Sequence, residues 1–146
     1  MIMMSERLRR LTLSTVILLF ATIVMGGYVS QIGAGLACPD WPLCPLSTDP
    51  FIVAEFTHRI VAIAAFFSAL ATFITALRLS SNRVSTARRL LTTGFILLII
   101  QVFLLGSSVI FSSLEPVLVT AHLAVAVTVF ALFLTAYFNI VWTSER

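Results

Sequence analysis

Four long stretches of this chain carry almost no charge, and that limits its fold more than any other feature. They cover residues 11–29, 51–77, 90–114 and 116–142. The second is interrupted near its start by Glu55, His58 and Arg59, the third has no charge, and the fourth has only His122 and Tyr137 as ionisable groups. Each can cross about 30 Å of hydrocarbon at roughly 1.5 Å per residue. Inside hydrocarbon a backbone must satisfy its own hydrogen bonds, so the runs are expected to be helices. Only 10% of the 146 residues are charged, against roughly 25% in a soluble domain. Such a chain cannot clothe itself in a polar surface, and lipid is its expected solvent. The expected fold is an all-α membrane protein. It is a single domain over 1–146, an up-down bundle of four transmembrane helices with a 30–50 loop on one side.

The charges that remain sit at the helix ends. All nine cationic side chains are arginine, and the net charge is +3. Arg7, Arg9 and Arg10 precede the first run, and Arg78, Arg83, Arg88 and Arg89 lie between the second and third. The 30–50 loop and the turn at Glu115 hold no basic residue. The positive-inside rule then puts both termini in the cytoplasm and the 30–50 loop outside, in a multi-pass cell-membrane protein. The arginines therefore report topology, with membrane lipid as partner and no nucleic acid. Leu36-Ala37-Cys38 faintly suggests a lipoprotein cleavage site, but the first apolar run is too long for a signal h-region and three more spans follow. Pro116 suits a first helical position, Asn82 and Ser85 suit the connection between the second and third runs, and Gly26-Gly27 suits close helix contact or a kink.

Cys38 and Cys44, the only cysteines, flank Pro39 to Leu43 in the loop expected outside. That compartment favours oxidation, so a Cys38–Cys44 disulfide is expected, acting as a short structural staple or as a redox-active pair. Trp41 and its neighbouring prolines would hold the loop near the interface, or Trp41 would cover a ligand.

Ionisable groups are costly within a membrane helix and mark function by default. His58 lies seven residues into the second run and His122 six residues into the fourth, and both runs point the same way. The two imidazoles should therefore lie at similar depth, about 10 Å below the outer end. On parallel helices of one bundle they could grip a planar metal centre from opposite faces. From His58 a stripe of small residues follows, Ala62, Ala65, Ala69, Thr72 and Ala76. It leaves room for a neighbouring helix or a flat ligand. Two imidazoles alone under-coordinate zinc or copper but fill both axial positions of a haem iron. Glu55 shares a helix face with His58 and could transfer protons, or could simply pair with Arg59. Arg59 could instead hold a haem propionate.

The segment from Gly33 to Cys44, Gly-Ala-Gly-Leu-Ala-Cys-Pro-Asp-Trp-Pro-Leu-Cys, closely resembles the first outer loop of haem A synthases. Glu55-Phe56-Thr57-His58-Arg59 resembles the Glu-x-x-His-Arg motif of their second helix. Gln101 to Gly106, and Pro116 to Ala124 with Val119-Thr120-Ala121-His122-Leu123, resemble their third and fourth helices. The resemblance implies oxidation of a ring methyl of haem O to a formyl group with water-derived oxygen, giving haem A for terminal oxidases. It implies Glu55 as the catalytic carboxylate, His58 and His122 as axial ligands, and haem b as cofactor beside the haem O substrate. Haem O synthase becomes a candidate partner. The usual family member has eight helices in two related halves, each with its own histidine pair. One pair per chain here leads to the expectation of a homodimer or higher homo-oligomer. Ser30 stands where many relatives have arginine, and Glu115-Pro116 where a Pro-Pro pair is common.

Two other classes compete. A non-catalytic bis-histidine b-type cytochrome needs the same histidines without Glu55 or the loop signature. A disulfide-forming membrane protein that passes electrons to quinone usually has a Cys-x-x-Cys pair and further cysteines, which this chain lacks.

Overall fold

The computed structural model describes residues 2–38, 40, 44, 47–79 and 85–144, with side chains described only within 6–143. Trp41, its neighbouring prolines and Asn82 lie outside the described residues. All the regular structure described is helical. Helix α1 spans Ile2–Gln31, α2 Pro50–Leu77, α3 Ser85–Phe111 and α4 Pro116–Ser144. All four are long and apolar enough to cross a membrane, as the uncharged runs require. The chain is a four-helix membrane bundle.

Local chemistry explains the helix starts. Asp49 caps α2 by accepting from the N–H groups of Phe51 and Ile52, and Pro50 occupies a position whose missing N–H costs nothing. Pro116 opens α4 as expected. The preceding Glu115 accepts from the Leu118 N–H at 3.0 Å, so it serves as the cap that a second proline could not supply. Ser85 begins α3. Helix α3 ends in a tight turn in which the Leu114 N–H donates to the Val109 carbonyl at 2.9 Å. Ser113 and Leu114 both take positive φ there.

The helices pack as a ring, α1 against α2, α2 against α3, α3 against α4, and α4 back against α1. Helices α2 and α4 thus face each other across the bundle diagonal. Lipid tails are as apolar as leucine, so close packing and polar contacts hold such helices together. The packed centre contains Leu8, Leu91, Val129, Phe133 and Ile140, all nearly inaccessible. The small-residue stripe of α2 belongs to this packing: Ala65, Ala69, Thr72 and Ala76 are buried. The Thr15 hydroxyl of α1 bonds the hydroxyls of Ser68 at 2.8 Å and Thr72 at 2.9 Å. Large side chains such as Phe111, Phe67 and Trp142 are exposed on the outer faces, where lipid would lie.

Candidate functional site

The site is assembled from all four helices near the end that carries the 30–50 loop. His58 lies eight residues into α2 and His122 six residues into α4, hence about 9–12 Å below that end. Gly26 lies five residues before the end of α1, and Gly106 five before the end of α3, at about 8 Å by the same rise. One diagonal of the ring therefore carries the histidines, and the other carries two glycines at a similar level.

The glycines lie against the imidazoles. A Cβ on Gly26 would sit 3.0 Å from His58 Cε1 and 3.5 Å from Nδ1. A Cβ on Gly106 would sit 3.7 Å from His122 Cε1. Helix α1 is unbroken through Gly26, and the close approach there is to the His58 ring. The His58 ring also hydrogen-bonds the Thr22 backbone and lies within electrostatic reach of His122. The Nδ1 atoms of both histidines are buried without a hydrogen-bond partner. Buried polar atoms are nearly always satisfied, so a matched pair of orphans needs a reason.

Helix α3 is irregular at this level. Residues Ile100–Gly106 form a π-helix, flanked by α-helix on both sides. A π segment inside an α-helix shifts the side-chain register and recurs at functional sites. Here it contains both Gln101 and Gly106. The buried Gln101 donates its amide N–H to the His122 carbonyl at 2.9 Å, and its own Oε1 is buried without a partner. Gln101 ties α3 to α4 at the residue that carries the second imidazole.

Glu55 and Arg59 form a buried ion pair one turn apart, 2.8 Å from Nε to Oε1. Arg59 also donates to the carbonyls of Cys38, at 2.8 Å, and Asp40. Its guanidinium thus clamps the loop onto α2, a role the sequence motif did not suggest. No hydrogen bond joins Glu55 to either histidine among the described residues. Cys38 and Cys44 are disulfide-bonded, with Cα atoms 5.1 Å apart, and Cys38 is fully buried. On the other side of the loop, a Cβ on Gly35 would meet Leu114 at 3.1 Å, so the α3–α4 turn packs against the lid.

These residues fit a planar metal centre. The two imidazoles lie on diagonally placed helices within electrostatic reach of each other, an orphaned Nδ1 marks each, and a glycine lies beside each. Among the described residues no three His, Cys, Asp or Glu side chains converge as an all-protein metal site. A group that brings its own equatorial ligands suits the donor set present.

Fold and site together define a transmembrane four-helix bundle with paired imidazoles beneath a disulfide-closed loop. The chain is a four-helix relative of the haem A synthase family. It is 33% identical to a heme A synthase of Staphylococcus haemolyticus over 92% of its own length and 42% of that protein. It is 31% identical to one of Staphylococcus aureus over 90% of its length and 41% of that protein. A heme A synthase of Exiguobacterium sibiricum matches at 36% over 61% of this chain and 30% of that protein. The chain thus spans less than half the length of these relatives. No family model and no solved structure matches it.

Proposed function

We propose that this chain is a haem-binding membrane oxidoreductase that converts haem O to haem A, with His58 and His122 as axial ligands. The observation that carries the reading is the pair of diagonal imidazoles with sequestered, unpartnered Nδ1 atoms, each lying against a glycine. Nε2 is the nitrogen proposed to meet the iron in each case. The likeness to heme A synthases over 92% of the chain supports the reaction.

Haem held by His58 and His122 would supply one-electron redox chemistry. The chain's own residues hold it at one depth, exclude bulk water and move protons. Oxidising a methyl to a formyl group with water releases four protons and four electrons, so the site needs a proton acceptor and an electron acceptor in the membrane. Glu55 is the proposed proton acceptor. It lies one turn before His58 on the same helix. Its partner Arg59 is committed to the carboxylate and to two loop carbonyls, an arrangement that supports a positioning role for Arg59 better than a propionate contact. The buried Cys38 supports a staple for the loop. The proposed orientation has both termini cytoplasmic and this loop outside, because the arginines other than Arg59 gather towards the opposite end of the chain's spans. Haem b would be the resident cofactor. Two copies of the chain would supply the two histidine pairs of a full-length relative, so a homo-oligomer is proposed, with haem O synthase as a candidate donor of substrate.

The test is chromatography of extracted haem after the chain is co-expressed with a source of haem O. Haem A and a low-spin bis-histidine spectrum are expected. Glu55→Gln should retain the spectrum and yield no haem A. Bound haem b with no haem A, where a full-length synthase works, would overturn the enzymatic reading.

A further inference from the structure

At the end of the bundle opposite the histidines, a cleft of about 240 Å³ opens between α1 and α2, lined by Arg7, Ala71, Ile74, Thr75 and Arg78. We propose that this cleft binds an anionic phospholipid, with the phosphate between Arg7 and Arg78 and an acyl chain laid over Ala71 and Ile74. The proposal needs only membrane insertion and does not use the haem reading.

The placement of the residues matches such a ligand. Arg7 is the second residue of the span Glu6–Gln31, and Arg78 is the first residue past the span Pro50–Leu77. Both guanidinium groups therefore stand at the edge of the hydrocarbon, where lipid phosphates lie. Ala71 is one α-helical stretch of seven residues further in, about 10 Å deeper. The cleft is thus basic at its rim and apolar at its floor. A free phosphate could use the rim alone; a phospholipid uses both. Thr75 is no competitor for the phosphate, because its hydroxyl donates to the Ala71 carbonyl at 2.7 Å.

Charge on the neighbouring groups favours an anion. The carboxylate nearest in sequence, Glu6, pairs with Arg9 at 3.0 Å and lies 3.9 Å from Arg10. Neither Arg7 nor Arg78 has an acidic partner among the described residues. The carboxyl end of α2 carries a partial negative charge of about half an electron. Arg88 already donates to the Leu79 carbonyl there at 2.9 Å. Two full positive charges outweigh what remains. Basic pockets between transmembrane helices bind anionic headgroups by this arrangement.

The test uses the full chain purified in a neutral detergent, with lipid retention read by native mass spectrometry and melting temperature read in parallel. Phosphatidylglycerol should be retained about 25-fold better than phosphatidylcholine, from roughly fivefold per guanidinium near the headgroup plane. The double variant R7Q/R78Q should lose that preference, whereas R89Q, at an exposed arginine outside the cleft, should keep it. Both cleft arginines are exposed, so the double variant is expected to keep its helical content and elute as a single species. Ala71→Phe, which fills the floor, should weaken phosphatidylglycerol binding with both charges in place. Equal retention of the two lipids would overturn the proposal. So would equal losses in R7Q/R78Q and R89Q, or a melting shift with inorganic phosphate alone that matches the lipid.

Discussion

The two halves of the bundle solve opposite problems with the same four helices. In the half towards the arginine-rich end, most polar side chains find partners within the protein, Asn139 Oδ1 being the buried exception among the described residues. Thr15 bonds Ser68 and Thr72, and Thr12 donates to the Leu8 carbonyl at 2.7 Å. Phe133, Leu91 and Leu8 fill the centre. In the half under the loop, His58, His122 and Gln101 each keep a buried atom without a partner, and α3 leaves α-helical register. One half is nearly closed upon itself. The other is finished only when something else supplies contacts, which is what a ligand site in a rigid scaffold requires.

Removing an imidazole should have the largest effect. His58→Ala or His122→Ala is expected to abolish the low-spin bis-histidine absorption of the purified protein. The melting temperature of the haem-free protein should change little in either variant, since each ring leaves a buried Nδ1 without a partner, with the larger change at His58, whose ring bonds the Thr22 backbone. Collapse of the apoprotein in either variant would mean that the outer half is as self-sufficient as the inner one.

Filling space should separate the halves next. A Cβ at Gly94 would lie 2.9 Å from Phe133 Cε2 in the packed half. Gly94→Ala should therefore destabilise the apoprotein by about 1–3 kcal/mol, the usual cost of overpacking. The same change at Gly26 presses on His58 Cε1 at 3.0 Å, on a ring whose Nδ1 has no partner. Gly26→Ala should lower haem affinity by about tenfold or more, about 1.4 kcal/mol, with little change in apoprotein melting. Haem titration and thermal unfolding of both variants check the contrast.

Gln101→Leu should act more mildly. It removes one interhelical hydrogen bond, which in membranes averages about 0.6 kcal/mol. It also removes the buried Oε1. The bis-histidine spectrum should survive, with haem affinity lowered about three- to fivefold. An unchanged affinity would leave the π segment without a role in holding His122.

Much of the bundle was legible because hydrocarbon forbids charge over some 20 residues, and that constraint writes itself directly into composition. The histidines were legible for the same reason, since only two occur and both fall inside long apolar runs. Their glycine neighbours were not. Hydropathy places a residue at a depth but does not say which helix lies opposite, so Gly26 suggested helix packing and not an imidazole contact. The π-helix left no mark either, for hydrogen-bond register is not encoded by polarity. One signal was available: Gln101 is the lone carboxamide in the 90–114 run, and a polar side chain there demands a partner. Arg59 belonged to a motif with known company. Its clamp on the loop carbonyls depends on a fold of the 30–50 segment that no local pattern specifies.

The smallest expected effect lies at the rim of the open half. Ser113 holds φ at 57°, a left-handed conformation that side chains with a Cβ disfavour. Its neighbour Leu114 is also left-handed, but its side chain packs on Gly35 of the loop. Replacing Leu114 would confound strain with lost contact, so Ser113 is the cleaner position. Ser113→Gly relieves the strain, while the extra freedom of glycine in the unfolded chain offsets part of the gain. The net stabilisation should be about 0.5–1 kcal/mol, read as a small rise in apoprotein melting temperature. The turn joins α3 to α4 and supports the lid, not the imidazoles, so haem affinity should stay within about twofold. A larger change in affinity would show that the turn and His122 move together, and that the unsatisfied half of the bundle extends through the rim.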